Sequence, residues 1–356
     1  MIDESKVVIR PMRDGEEKEI VKMGRKAFQL MEALFVGAPK QAMVAEYNGT
    51  LVGSMSYKNI LIANKKIAYL DQGFIDPNFA GFGIGKKLYT HTIRSLWSKG
   101  YQVVTALVKD DNIGSWKLLA ANQLKRVSCY SIIKEIGVLG FIKLYCCTPF
   151  LITVGMDFYM ATDMDTVNEK NHAMVELLSF FTANILLLLP LWIRVLTQNR
   201  NDFLWTFLAY ITILFLFISS RYIGHCICKT KGIFRLNNGG SFLPLLLSLG
   251  GNVFLMNGNW YPENYENTNV FKRKLAIPEL IKWAVFLVLP ILSSMWTEIP
   301  YWNAVGKFSC VYLIFMCIPV YPFESLGGGR VYNYNKQIWL FFLFLTVLEF
   351  LFIFIR

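Results

Sequence analysis

The 356 residues carry a formal charge of +11 and a mean hydropathy of +0.39, high for a soluble protein. Charge is unevenly spread: 33 of the first 135 positions are Asp, Glu, Lys or Arg, against 28 of the remaining 221. This excludes a single soluble chain and the disordered, fibrous and small disulfide-rich classes. It predicts a soluble domain over 1–135 and a polytopic helical membrane domain over 136–356.

The opening Met1-Ile2-Asp3-Glu4-Ser5-Lys6 lacks the apolar core of a secretory signal, so the first domain is expected in the cytoplasm. Val7–Arg10 reads as a strand and Gly15–Leu34 as helical. Ala42–Tyr47 and Leu51–Tyr57 read as strands joined by Asn48-Gly49, a strong hairpin signal. Lys66–Ile75 is a further strand. It runs through Asp76-Pro77 into the glycine-rich stretch Ala80-Gly81-Phe82-Gly83-Ile84-Gly85. A helix follows to about Lys99, then a strand Gln102–Val108, a helix near Gly114–Asn122 and a strand at Lys125–Ile133. Glycines at 81, 83 and 85 let backbone amides approach an anion, and the following helix start adds partial positive charge. The loop alone reads equally well as a phosphate site or as a plain turn.

The order of these elements resembles the GNAT family of acetyl-CoA-dependent N-acyltransferases over residues 5–133. The family's Arg/Gln-x-x-Gly-x-Gly/Ala motif corresponds to Ala80-Gly81-Phe82-Gly83-Ile84-Gly85-Lys86-Lys87-Leu88, and Asn112 matches a family Asn. The resemblance implies an α+β head with a central mixed sheet flanked by helices. It also implies an acyl-CoA site at Phe74, Ile75, Ala80, Gly81, Phe82, Gly83, Ile84, Gly85, Lys86, Asn112 and Ser115. Amides from Gly81 to Lys86 would hold the pyrophosphate, and the strand end at Phe74–Ile75 would pair with the pantetheine arm. Two positions depart from the family. Ala80 stands for Arg or Gln, and Leu119 stands where many relatives carry a Tyr general acid. Tyr89 and Tyr130 are possible substitutes, and Tyr130 is carried forward as the candidate. Asp71 and Glu46 are the candidate bases for an attacking amine, or else solvated or turn-capping carboxylates. His91 reads as a surface residue. Loops 28–41 and 57–66 are expected to shape the acceptor pocket. Phe28, Met31, Leu34 and Phe35 suggest either an apolar acceptor or a helix packed on the sheet.

In the second part, apolar windows recur at Ile136–Met156, Leu177–Ile193, Phe203–Ser220, Ile281–Thr297, Phe308–Phe323 and Gln337–Ile355. These predict six helices, with five to seven membrane segments in all. The glycine-rich segment 239–258 reads as a bent or re-entrant element. Charge placement makes Ile136–Met156, with Lys143 and Pro149, an interfacial or re-entrant helix, followed by an acidic loop at 157–173. Glu349 reads as a charge near the chain end that snorkels to the headgroups. Seven cysteines, most in or beside apolar runs, read as buried free thiols, with lipidation of Cys146-Cys147 a lesser reading.

Two stretches, Arg221-Tyr222-Ile223-Gly224-His225 and Ile318–Arg330, resemble site-2-protease-like intramembrane metalloproteases. In that alignment Arg221, Tyr222 and Gly327 replace a ligand, the base and a ligand. Only His225 survives, so no metal and no zinc proteolysis are expected. No basic block is interleaved with aromatics, so no nucleic-acid partner is expected. The expected activity is transfer of an acetyl or other acyl group from acyl-CoA to an amine on an acceptor associated with the lipid bilayer. The alternative is a non-catalytic acyl-CoA-binding regulator fused to an inactive protease-like module.

Overall fold

The structure is a computed structural model of the 356-residue chain. It describes residues 6–28, 30–62, 64–109, 112–149, 153–162, 173–198, 200–230, 232–237, 239–262, 268–321 and 323–355. The chain divides into two compact units: Met1–Pro149 with Asp157–Glu169, and Phe150–Met156 with Lys170–Arg356.

The first unit runs β1 (Val7–Pro11), α1 (Glu17–Ala27), α2 (Leu30–Ala33), β2 (Ala42–Tyr47), β3 (Thr50–Ile62), β4 (Lys65–Ile75), α3 (Ile84–Ser98), β5 (Val103–Lys109), α4 (Ile113–Ala121), β6 (Lys125–Arg126), α5 (Cys129–Cys147) and β7 (Met156–Thr162). The strands form one mixed sheet in the order β1-β2-β3-β4-β5-β7-β6. Asn48 (φ 50°) and Gly49 (φ 81°) both adopt the left-handed conformation, the turn whose twist suits a two-residue hairpin between β2 and β3. One sheet face packs Leu70, Leu88, Ile93, Val104 and Leu119 into a core; α1 covers Val44, Leu51 and Phe74.

The boundary expected at 135 moves. The α5 helix bends at Gly137 (φ 75°), and it buries Ile132 and Ile136 before the bend and Gly140 and Leu144 after it. Gly140 packs so close to Ile62 of β3 that a Cβ there would lie 2.6 Å from Ile62 Cγ2. Lys65 Nζ pairs with Glu135 at 2.7 Å, and Lys143 Nζ donates to the Leu61 carbonyl at 2.9 Å. The apolar residues from Ile136 to Cys147 therefore belong to the first unit. The expected strand Lys125–Ile133 shortens to two residues, because Ser128 caps α5 by accepting from Ser131 N. The expected acidic loop begins as β7, which supplies a sheet strand, and Asp157 is buried against Arg126 at 2.9 Å. Asp163, Asp165, Glu169 and His172 lie outside the described residues, as do Met1–Ser5.

The second unit runs α6 (Ala173–Leu187), α7 (Leu189–Gln198), α8 (Arg200–Ile227), β8 (Gly232–Leu236), α9 (Phe242–Leu249), β9 (Gly258–Pro262), α10 (Asn269–Ser294), α11 (Pro300–Met316), α12 (Gly328–Tyr334) and α13 (Lys336–Ile355). Its core is aromatic: Phe180 stacks on Phe217 at 5.8 Å, and Trp283, Phe286 and Tyr312 are buried beside them. Gly224 lets α8 approach Pro278 of α10, where any side chain would strike the proline ring. Among the described residues three helices are long and apolar enough to cross a membrane: α8, α10 and residues 336–353 of α13. A fourth arises if α6 and α7, bent by 50°, count as one span. The expected six are too many among the described residues. α11, with 17 residues, stands at the short end of the length a span needs. The glycine-rich segment folds as α9 between the paired strands β8 and β9, not as a spanning helix.

The cysteines are free as expected, but only Cys317 is buried; Cys146, Cys147 and Cys226 lie on outward helix faces. Glu349 also differs. It is 7% exposed and faces inward on α13, one turn from Thr346, and neither carboxylate oxygen has a partner among the described residues.

Candidate active site

The glycine loop follows from local chain chemistry. Asp76 accepts from Asn78 N at 2.9 Å, and Pro77 opens a single 3₁₀ turn that redirects the chain out of β4. Gly81 (φ 86°) and Gly83 (φ 71°) then take left-handed conformations that a side chain disfavours. Gly83 is the residue before α3, and the first intrahelical bond is Lys87 N to Gly83 O at 3.2 Å. The amides of Ile84, Gly85 and Lys86 therefore precede the helix ladder. Gly83, at the cap position, has no side chain to offer them, and no acidic residue occupies the first turn. Gly81, Phe82, Gly83 and Lys86 are exposed, as is Ala80 before them. Lys87 is held elsewhere, donating to the Val7 carbonyl. The result is a concave run of backbone donors at a helix start, suited to an oxyanion.

Beside it the sheet opens. The parallel pairing of β4 with β5 runs from Ile67↔Val103 to Leu70↔Ala106 and stops, although β4 continues to Ile75 and β5 to Lys109. The β5-facing edge of β4 from Asp71 to Ile75 is thus left without a strand, a place where an extended ligand can add to the sheet. The opening begins at a bulge. Ser56 pairs with Gln72 and Tyr57 with Leu70, so Asp71 has no opposite residue. The Ser56 hydroxyl fastens the bulge, accepting from Gln72 N at 3.1 Å. Ile75 and Leu118 of α4 both come within 3.7 Å of where a Gly85 Cβ would stand, so β4, α3 and α4 meet there. Phe74 points the other way, against Phe28, the residue after α1, at 5.7 Å.

Tyr89 is the residue that its position in the sequence could not place. It is 8% exposed on α3, and its hydroxyl donates to Ser115 Oγ at 3.4 Å. That hydroxyl would lie 2.8 Å from a Cβ on Gly73, so it rests directly against β4. Burial pushes its pKa above the ordinary 10.0, and the Ser115 bond opposes this in part. Tyr89 thus stays protonated at neutral pH. Leu119, at the expected tyrosine position, is buried core. Asn112 accepts from Ser115 N at 3.1 Å and so caps α4.

The remaining candidates separate. Asp71 pairs with Lys58 Nζ at 2.9 Å beside the bulge. Glu46 is drawn into a network with Arg10, whose Nε donates to it at 2.7 Å while its Nη groups hold Glu16 at 2.6 and 2.9 Å. This gives Glu46 a structural partner. Tyr130 is 75% exposed in the first turn of α5. The expected loop 57–66 is mostly strand, because β3 runs on to Ile62. The 28–41 segment is tied to the open edge instead: Gln72 Nε2 donates to the Phe35 carbonyl at 2.9 Å, and Lys109 of β5 pairs with Glu32 of α2. Leu34 and Phe35 are exposed there, while Phe28 packs inward. His91 is exposed, as expected.

In the second unit, Arg221 and His225 lie on the buried side of α8, whereas Tyr222 is exposed. Gly327 (φ 125°) packs against Glu279 and Lys282 of α10. Pro322 of the same stretch lies outside the described residues. Among the described residues no group of three His, Cys, Asp or Glu is arranged to hold a metal ion.

Residues 13–122 match the family model of the acetyltransferase (GNAT) family, so this stretch of the chain is a GNAT-type acetyltransferase domain. The chain is similar to the ribosomal-protein-S18-alanine N-acetyltransferase from Escherichia coli at 15% identity, covering 47% of this chain and 99% of that one, with a TM-score of 0.32. It is similar to N-acetylglutamate synthase from Neisseria gonorrhoeae, solved with coenzyme A and N-acetyl-glutamate, at 18% identity over 45% of this chain and 36% of that one (TM-score 0.33). A GNAT family acetyltransferase from Elizabethkingia anophelis with acetyl-CoA bound matches at 12% identity, 45% and 99% coverage and a TM-score of 0.31. No curated protein matches the chain.

Proposed function

We propose that the first unit transfers an acetyl group from acetyl-CoA to the amine of a membrane-associated acceptor. The observation that carries this reading is the convergence of three features in a GNAT-type domain. These are an uncapped amide run at the start of α3, an unpaired β4 edge beside it, and the buried Tyr89 hydroxyl against that edge. The amides of Gly81 to Lys86 would hold the pyrophosphate, with Lys86 adding charge at the exposed rim. The β4 backbone near Phe74 and Ile75 would pair with the amide-bearing arm. The acceptor nitrogen then attacks the thioester carbonyl. The N–C bond forms and the C–S bond breaks. Asp71, directly or through a water, takes the proton the amine loses, and Tyr89 gives its proton to the departing thiolate. Ser115 positions the Tyr89 hydroxyl. Asn112 supports the site by holding the start of α4.

The membrane-associated acceptor is supported by the apolar helices that share the chain. The full chain in detergent, given acetyl-CoA and a panel of amines (polyamines, amino-terminal peptides, phosphatidylethanolamine), should release free thiol only with the right acceptor. Acetyl-CoA binding without thiol release from any amine would favour the regulator reading. Absence of binding would refute both.

A further inference from the structure

Strands β6 and β7 are antiparallel neighbours in the sheet, and such a pair needs only a short turn to join it. Here residues 127–155 make the connection, and most of them form α5. The inner side of α5 is accounted for by its packing on β3. The outer side is not. Leu139 is 83% exposed, Val138 59% and Ile142 51%. Leu61 of β3, whose carbonyl receives the Lys143 ammonium, is 58% exposed beside them. Cys146 is exposed as well. Leu139, Ile142 and Cys146 follow one another at steps of three and four residues, so one helix face presents them together. Aliphatic side chains so exposed and so close together mark a surface that an apolar partner covers.

Length, charge and chain continuity identify that partner. The bend at Gly137 sets off residues 138–147 as a separate helical stretch. Ten residues of helix reach about 15 Å, half the thickness of a bilayer core, so this stretch can lie along a membrane and cannot cross one. Lys134 and Lys143 are exposed beside the aliphatic face. The one acid of α5, Glu135, is already paired with Lys65 at 2.7 Å. A basic rim around an aliphatic face matches the phosphate-bearing headgroups and acyl chains of a lipid leaflet. Phe141 and Tyr145, with ring centroids 5.5 Å apart, are half-buried in the same stretch, and aromatic rings suit the headgroup level. The chain enters the second unit at Phe150, three residues beyond Cys147, and that unit carries the helices long and apolar enough to cross a membrane.

We propose that the outer face of α5 is a membrane-docking surface, with Leu139, Ile142 and Cys146 set into the upper acyl layer of an anionic leaflet and Lys134 and Lys143 at its headgroups. The proposal rests on the membrane association put forward above.

The test uses the full chain in nanodiscs of phosphatidylcholine and phosphatidylglycerol carrying tritiated acyl chains. The photoreactive residue p-benzoylphenylalanine replaces Leu139 or Ile142, both outward-facing, so that folding tolerates the added ring. The same residue replaces Phe215, 62% exposed on α8, as the membrane reference, and Val8, 56% exposed on β1, as the surface reference. After irradiation, lipid label should join the chain at positions 139 and 142 at least about fivefold above position 8. Label at 215 with none above the position 8 level at 139 and 142 overturns the docking surface and leaves membrane association standing. No label at 215 removes the membrane association as well. Crosslinks from 139 or 142 to another segment of the chain, or to a second copy, in place of lipid, show that protein covers this face and overturn the proposal.

Discussion

The two units build their polar centres from opposite materials. In the first, the donors at the site are backbone amides, exposed because Gly81 and Gly83 have no Cβ and α3 has no cap. In the second, they are charged side chains from α8, α10 and α12, sealed from solvent. The difference sets how each centre fails. A backbone cradle tolerates most changes around it and is spoiled by filling it. A buried charge cluster is spoiled by removing any one member, because the others then lose their compensation.

The sharpest way to break this comparison is Glu279→Ala. It leaves Arg221, Lys282 and Arg330 buried without their shared carboxylate, for an expected loss of about 3–5 kcal/mol. Thermal unfolding of the full chain in detergent should show the transition about 6–20 °C lower. A shift of only a degree or two would mean that the cluster is already hydrated. The matching change in the first unit is Gly83→Asp. It forces a left-handed residue to carry a side chain, at about 1–2 kcal/mol, and aims an anion at the cradle. Acetyl-CoA turnover should fall at least about 100-fold, with the far-ultraviolet circular dichroism unchanged. Retained turnover would remove the pyrophosphate assignment.

The same contrast explains what the sequence made legible. The glycines at 81, 83 and 85 sit within five residues of one another and constrain one backbone turn, so the loop and its helix could be read directly. The strands around it followed from alternation and from Asn48-Gly49. The Arg221 cluster spans more than a hundred residues, from α8 to α12, and no local pattern announces it. Tyr89 fell between these cases: its residue type was visible, but only the packing of α3 on β4 puts its hydroxyl against Gly73. The α5 window misled because residues apolar enough for lipid also suit a helix lying on a sheet. Ile132, Ile136, Gly140 and Leu144 are buried on either side of the Gly137 bend, but a hydropathy total does not show which apolar residues face protein.

Tyr89→Phe sharpens the first-unit half of the comparison. It removes the proposed proton donor and leaves the ring packing intact. The expected result is a fall in kcat of about 100-fold, with KM for acetyl-CoA nearly unchanged. The pH profile checks the role independently. A donor acts only while protonated, and burial holds this hydroxyl's pKa above 10.0. Any alkaline decline that depends on Tyr89 must therefore lie above pH 10 and vanish in the Phe variant. An equal fall in kcat for Ser115→Ala with no change in that limb would indicate that the hydroxyl pair only shapes the pocket.

The smallest expected effect belongs to the Arg10–Glu16–Glu46 network, the partly solvated counterpart of the Arg221 cluster. The Arg10 guanidinium holds Glu16 below its ordinary 4.5, and the backbone amide of Arg13 adds to this. A carboxyl with a depressed folded-state pKa contributes stability above its unfolded value and loses it as pH falls through the folded one. Glu16→Gln should therefore cost about 1 kcal/mol at pH 7, since Arg10 keeps Glu46 and solvent screens the pair. The difference between wild type and variant should stay flat from pH 8 to 6 and shrink toward zero below 4.5. Hydrogen exchange of the β1 and β2 amides in the full chain measures it. A cost independent of pH would mean that Glu16 matters for its shape at the start of α1 and not for its charge.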